Sequence, residues 1–161
     1  MPGMKCSRCG AAASGLVCAY CGALTGTPGG GDFERQALEE FCGLLQGKDW
    51  KEQAKLLESG YIPSSPGGLI EAGVRCVPFI KGERFERPAE AAVRRLEAIV
   101  LKLKLLPRSD ENQRAVSEFE GVVAEFRKAE ASDTFWGLTV FGVLGLLLIV
   151  VAWILARKAC G

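Results

Sequence analysis

The sequence contains no histidine. That absence removes serine–histidine–acid triads, histidine general-base chemistry and every metal site that needs an imidazole ligand. Charge of one sign is also lacking, since 20 Lys+Arg stand against 19 Asp+Glu for a net +1. Such a balance excludes a nucleic-acid binder resting on overall charge, and a strongly acidic solvating chain as well. No sustained apolar–polar alternation runs through residues 33–131, which argues against a sheet there. Gly67 and Gly68 are followed by no Gly-Lys-Ser/Thr, so a phosphate-binding loop is excluded. Adjacent acids such as Glu39 and Glu40 point about 100° apart on a helix, and Ser64 and Ser65 read as loop and cap. Nucleophile, base and oxyanion group do not assemble, and the chain reads as a non-enzyme with no small-molecule substrate.

What is present is unevenly spread over 161 residues. Of seven cysteines, four fall in two Cys-x-x-Cys pairs, Cys6/Cys9 and Cys18/Cys21, with eight residues between the pairs. Two such pairs fit one tetrahedral four-thiolate zinc site, each forming a knuckle around the ion. Gly10 and Gly22 follow the second cysteine of each pair, where the chain must turn tightly around sulfur. Lys5 and Arg8 would offset part of the excess negative charge. A disulfide framework calls for an oxidising compartment, whereas Met1-Pro-Gly-Met-Lys5 shows no secretory signal. A thioredoxin-like pair would need a strand before Cys6. An iron–sulfur centre draws on the same four donors and stays as the alternative. With all four ligands supplied by thiolates the site is closed, leaving no position for a reactive water. Cys42 and Cys76 read as small buried hydrophobes, and Cys160 belongs to no prenylation box.

The stretches Cys6-Ser-Arg-Cys9-Gly10-Ala11 and Cys18-Ala-Tyr-Cys21-Gly22-Ala23 carry a family resemblance. Residues 4–24 resemble the short N-terminal zinc-ribbon domains of prokaryotic membrane proteins, with their Cys-x-x-Cys-Gly repeat. The resemblance implies one structural Zn2+ ion on Cys6, Cys9, Cys18 and Cys21. The span between the pairs is short for that family, which trims the hairpin without removing a ligand.

A second signal lies at the other end. From Thr134 to Ala156 run 23 residues without a charge, about 35 Å as a helix against a hydrocarbon core of about 30 Å. Trp136 and Trp153 stand near the two ends, where indole favours the headgroup boundary, and Arg157 and Lys158 follow. The expectation is a transmembrane helix over 134–156 with a short tail, 157–161, in contact with the lipid bilayer. Flanking cations tie at two a side, Arg127 and Lys128 against Arg157 and Lys158. The preference of a four-thiolate site for a reducing compartment then sets the expected localisation as single-pass membrane with a cytoplasmic N-terminal body. Ala152 and Ala156 could admit a second helix, although anchoring is the simpler reading.

Residues 24–32 read as a flexible Gly/Pro/Thr linker that lets the ribbon, 1–23, move independently of a helical domain over 33–131. Asp32 caps a helix with Phe33, Ala37, Phe41, Leu44 and Leu45 on one face, ending near Gly47. Asp49-x-x-Glu52 opens a second helix that stops at Gly60. Ser65 caps a third with Pro66 at its first position, and Pro78 should end or kink it. A fourth runs from about Arg87 to Leu106 with Ala92, Val93, Leu96, Ile99, Val100 and Leu103 as its stripe, and a fifth starts near Asp110. The expected fold class is thus mainly α: a small four-cysteine zinc ribbon, a bundle of four to five helices and one C-terminal transmembrane helix.

Residues 61–106 carry eight bases and five acids, while 32–60 and 107–133 are each net −3. Arg84, Arg87, Arg94 and Arg95 could therefore meet an anionic surface, although Glu83, Glu86, Glu90 and Glu97 interleave with them. The functional expectation is a membrane-anchored, non-catalytic adaptor or scaffold that recruits a protein partner at the cytoplasmic face. The alternatives are a nucleic-acid-binding ribbon held at the membrane and a thiol/zinc redox-responsive regulator. Nucleic acid is disfavoured, because residues 1–31 offer only Lys5, Arg8 and the single aromatic Tyr20.

Overall fold

The computed structural model describes residues 4–25, 31–82 and 88–132. The chain divides into two units, Met1–Val123 and Ala124–Gly161. In the second, the described residues 124–132 are helical.

The first unit opens with an antiparallel pair, β1 (Met4–Lys5) and β2 (Ala12–Ala13), followed by α1 (Gly31–Leu45), α2 (Trp50–Ser59), α3 (Pro66–Lys81) and α4 (Pro88–Leu105). A further helix, α5, begins at residue 110 and continues to the end of this unit at 123. Asp49 caps α2, its carboxylate accepting from the Glu52 N–H at 2.9 Å. Ser65 caps α3, accepting from the Gly68 N–H at 3.3 Å, with Pro66 at the first helical position where no donor is lost. Asp32, expected as a cap, instead lies in the first turn of α1, where its charge still faces the positive end of the helix dipole. Pro78 neither ends nor bounds α3, which continues to Lys81. The carbonyl deprived of a partner belongs to Val74, and Val74 and Pro78 are both exposed, so water can reach it.

α4 is the central helix. Ala91, Ala92, Val93, Leu96, Ile99, Val100 and Leu103 are buried along it, and it packs against both α2 and α3. Phe41 and Leu38 of α1 and Leu56 and Leu57 of α2 complete the core on one side. On another, Phe119 of α5 fills the space left by Gly73 of α3, where a Cβ would come within 2.4 Å of the ring.

Part of the expected fold class is corrected. No helix among the described residues is long and apolar enough to cross a membrane. Helix α4, 18 residues long, carries Glu90, Arg94, Arg95, Glu97, Lys102 and Lys104, charges that a membrane-crossing helix would not hold. The expected transmembrane helix over 134–156, its flanking Trp136, Trp153, Arg157 and Lys158, and the 157–161 tail lie outside the described residues. A single-pass membrane localisation is accordingly not supported. The architecture that stands is mainly helical, with a cysteine module built on the bundle.

Boundaries between module and bundle also move. Leu24 bridges to Val17 and the Thr25 N–H donates to the Leu16 carbonyl, so both belong to the cysteine module rather than to a linker. Gly31 and Asp32 belong to α1, and residues 26–30 lie outside the described residues.

Candidate metal centre

The module is built from one local motif used twice. In the first knuckle the Cys6 N–H donates to the Ala11 carbonyl at 2.8 Å and the Gly10 N–H to the Cys6 carbonyl at 2.9 Å. In the second, the Cys18 N–H donates to the Ala23 carbonyl at 2.8 Å and the Gly22 N–H to the Cys18 carbonyl at 2.8 Å. Every partner in the second knuckle sits twelve residues beyond its counterpart in the first, and the pairing Lys5–Ala12 maps onto Val17–Leu24 in the same way. Gly10 and Gly22 have φ of +75° and +67°, the left-handed conformation that reverses the chain around each cysteine pair. This repeat is visible in the two Cys-x-x-Cys-Gly-Ala stretches, although its matched hairpin register emerges only from the backbone.

Together the knuckles bring the four Sγ atoms within 4.8 Å of one another. Cys6 and Cys21 are 3.7 Å apart at sulfur, as are Cys9 and Cys18. Four sulfurs about 2.3 Å from one ion stand about 3.8 Å apart at the edges of a tetrahedron, so the donor set fits a metal of zinc size. All four cysteines are free thiols, with Cys6, Cys18 and Cys21 buried and Cys9 exposed. Cys6, Cys18, Cys21 and Ala13 form the module's own core, with Ala11 and Ala23 against it.

The thiols are not equivalent. N–H donation from Cys9 and Arg8 draws the Cys6 thiol down to about 7, whereas burial pushes Cys21 up to about 12. A bound cation overrides this inequality, because a coordinating sulfur gives up its proton.

Sequence reasoning missed how this centre is mounted. The Glu40 carboxylate of α1 accepts from the Leu16 N–H at 2.9 Å and the Val17 N–H at 3.3 Å. The Ser59 hydroxyl at the end of α2 donates to the Cys21 carbonyl at 2.8 Å, and the Tyr61 N–H donates to the Gly22 carbonyl at 2.7 Å. Arg8 donates to the Ser59 carbonyl. A Cβ on Gly15 would stand 1.9 Å from Glu40 Oε1, so the docking carboxylate occupies the space a side chain would need. The independently moving ribbon expected from residues 24–32 is therefore replaced by a module bonded to α1, α2 and the α2–α3 connection. Glu40 and Ser59 carry no local signal of this role.

The arginines separate. Arg95 is only 3% exposed, donating to the Leu57 and Tyr61 carbonyls with its guanidinium 4.4 Å from the Phe41 ring centroid. It cannot belong to an anionic contact surface, a correction that follows from its place on the buried stripe of α4. Arg94 is exposed and pairs with Glu90 and Glu58 at 2.6 and 3.5 Å. Arg84 and Arg87 lie outside the described residues. Cys76 is buried, and burial pushes its thiol up to about 11, as expected of a small hydrophobe, while Cys42 is half-buried.

No family model matches the chain, and neither a curated protein nor a solved structure matches it. The class is therefore defined by the site itself, a four-cysteine cluster of two knuckles with the geometry to hold a metal ion.

Proposed function

We propose that the chain is a zinc-ribbon protein acting as a non-catalytic adaptor, in which one structural Zn2+ ion on Cys6, Cys9, Cys18 and Cys21 fixes a module that serves recruitment of a protein partner. The observation carrying this reading is the convergence of four thiols from two matched knuckles. Zinc suits it because Zn2+ has no geometric preference that four thiolates would frustrate, and a closed tetrathiolate site has a structural rather than a hydrolytic role. An adaptor fits a module that offers no open coordination position and is displayed on a helical platform. Nucleic-acid binding is less well supported, because Arg8 is engaged at Ser59 and the Tyr20 ring already holds the Lys55 ammonium 3.8 Å from its centroid.

The test has two arms on the full-length protein. Cobalt titration should give the intense thiolate-to-metal absorption of a tetrahedral four-sulfur site at one equivalent, displaced by zinc. A brown chromophore with inorganic sulfide would instead establish an iron–sulfur centre. Crosslinking in native extract, beside a variant with Cys18→Ser and Cys21→Ser, should yield partners that the variant loses. Identical crosslinks from both would move recruitment away from the ribbon, and no specific crosslinks would overturn the adaptor reading. Exposure of Cys9 specifically favours a second reading, a thiol/zinc redox regulator. That reading requires dilute peroxide to eject the zinc reversibly, whereas retention of zinc removes it.

A further inference from the structure

The cysteine module is bonded to the bundle along α1 and where α2 ends and turns toward α3. Four donors and acceptors meet there: Ser59 Oγ on the Cys21 carbonyl at 2.8 Å, the Tyr61 N–H on the Gly22 carbonyl at 2.7 Å, Arg8 on the Ser59 carbonyl, and Glu40 across the Leu16 and Val17 N–H groups. Apolar contact reinforces them. A Cβ on Gly22 would lie 2.8 Å from the Gly60 Cα, 3.0 Å from the Phe41 ring and 3.4 Å from Leu56, so the second knuckle rests directly on the core. Cys21 and Gly22 thus present two consecutive carbonyls to the bundle from within the knuckle that a metal would close.

The module has little else to hold its shape. Its strands are two residues each, and three of the four residues of its core are cysteines of the cluster. A segment this small cannot bury enough surface to order itself, and its fold depends on the metal. We infer that metal occupancy of the four-cysteine site governs the order of the α2–α3 connection: the loaded second knuckle clamps Ser59 and Tyr61 and covers Phe41 and Leu56, and loss of metal releases them. This rests on the metal reading of the cluster and extends it, turning a local structural ion into a conformational control over the helical platform. Linkage makes the effect reciprocal, so whatever weakens the clamp also weakens metal binding.

The experiment is amide hydrogen exchange on the full-length reduced chain, metal-free and after one equivalent of Zn(II), with bound zinc measured in the same samples. Zinc should slow exchange in residues 4–25 and also, by at least about tenfold, at the Tyr61 amide and the last turn of α2. One equivalent of bound zinc with protection confined to residues 4–25 overturns the clamp while leaving the metal site intact. Failure to bind zinc overturns the metal reading and the clamp together. A variant carrying Glu40→Ala and Ser59→Ala retains all four cysteines and removes two of the three side chains that make the contact. With the Arg8 bond to the residue 59 carbonyl still in place, it should take up one zinc with about tenfold weaker affinity and reduced zinc-dependent protection at Tyr61. Wild-type affinity and protection in that variant would also overturn the clamp.

Discussion

At the level of single residues, Glu34 and Arg95 show how buried polar groups are kept bonded in a small core. Glu34 is 8% exposed and accepts from the Ser64 and Ser65 N–H groups at 2.9 and 3.0 Å, so an α1 side chain binds the start of α3. Burial alone would raise its pKa, but the bonds from Ser65, Ser64 and Tyr61 outweigh it and hold the carboxyl below its ordinary 4.5. A depressed folded value means the stabilisation is fully present above 4.5 and is lost as pH falls through the folded value. Glu34→Gln should therefore flatten the loss of stability below that pH, measured by urea unfolding at successive pH values. Arg95 answers the carbonyls of Leu57 and Tyr61 from α4. Arg95→Ala should destabilise by about 3 kcal/mol in denaturant unfolding, since it orphans buried carbonyls and opens a hole beside Phe41. Arg95→Met should lose less, because it refills the volume.

Among the secondary elements, caps and stripes were legible and the docking was not. Asp49, Ser65 and Pro66 announced the starts of α2 and α3 because capping is a contact within one turn of chain, and α4 announced itself through its apolar repeat. The four-cysteine cluster was legible for the same reason, since both knuckles are local. The charge of Arg95 suggests surface, while its position three residues after Ala92 and four before Ile99 puts it on the buried stripe of α4. Glu40, one acid among several on α1, became meaningful only when folding set it against Leu16 and Val17, 24 and 23 residues away. Gly22 concentrates both kinds of information, local in its φ of +67° and tertiary in its approach to Gly60. Gly22→Ala should lower zinc affinity by about tenfold or more, combining left-handed strain with a backbone clash. Gly10→Ala, with a similar φ but nothing within 4 Å of its Cβ, isolates the strain alone and should weaken zinc binding less. Competition against a chromophoric chelator measures both.

For the first unit taken whole, the question is whether the cysteine module and the helices unfold together. The module has almost no core beyond its cysteines, and its hydrogen bonds to the bundle run through Glu40, Ser59 and Tyr61. The bundle, in turn, has part of Phe41 and Leu56 covered by Gly22. Neither side is complete alone at this contact, which is the condition for cooperative unfolding. A metal that binds only the folded state should raise the stability of both, by about 4 kcal/mol at a free concentration a thousand times its dissociation constant. With cobalt in place of zinc, the thiolate absorption reports the module while far-ultraviolet circular dichroism reports the helices. The two denaturation curves should coincide, and their shared midpoint should rise with free metal. A cobalt signal lost well before the helical signal would instead mean that the module opens on its own, and that the bundle's stability is independent of the ion.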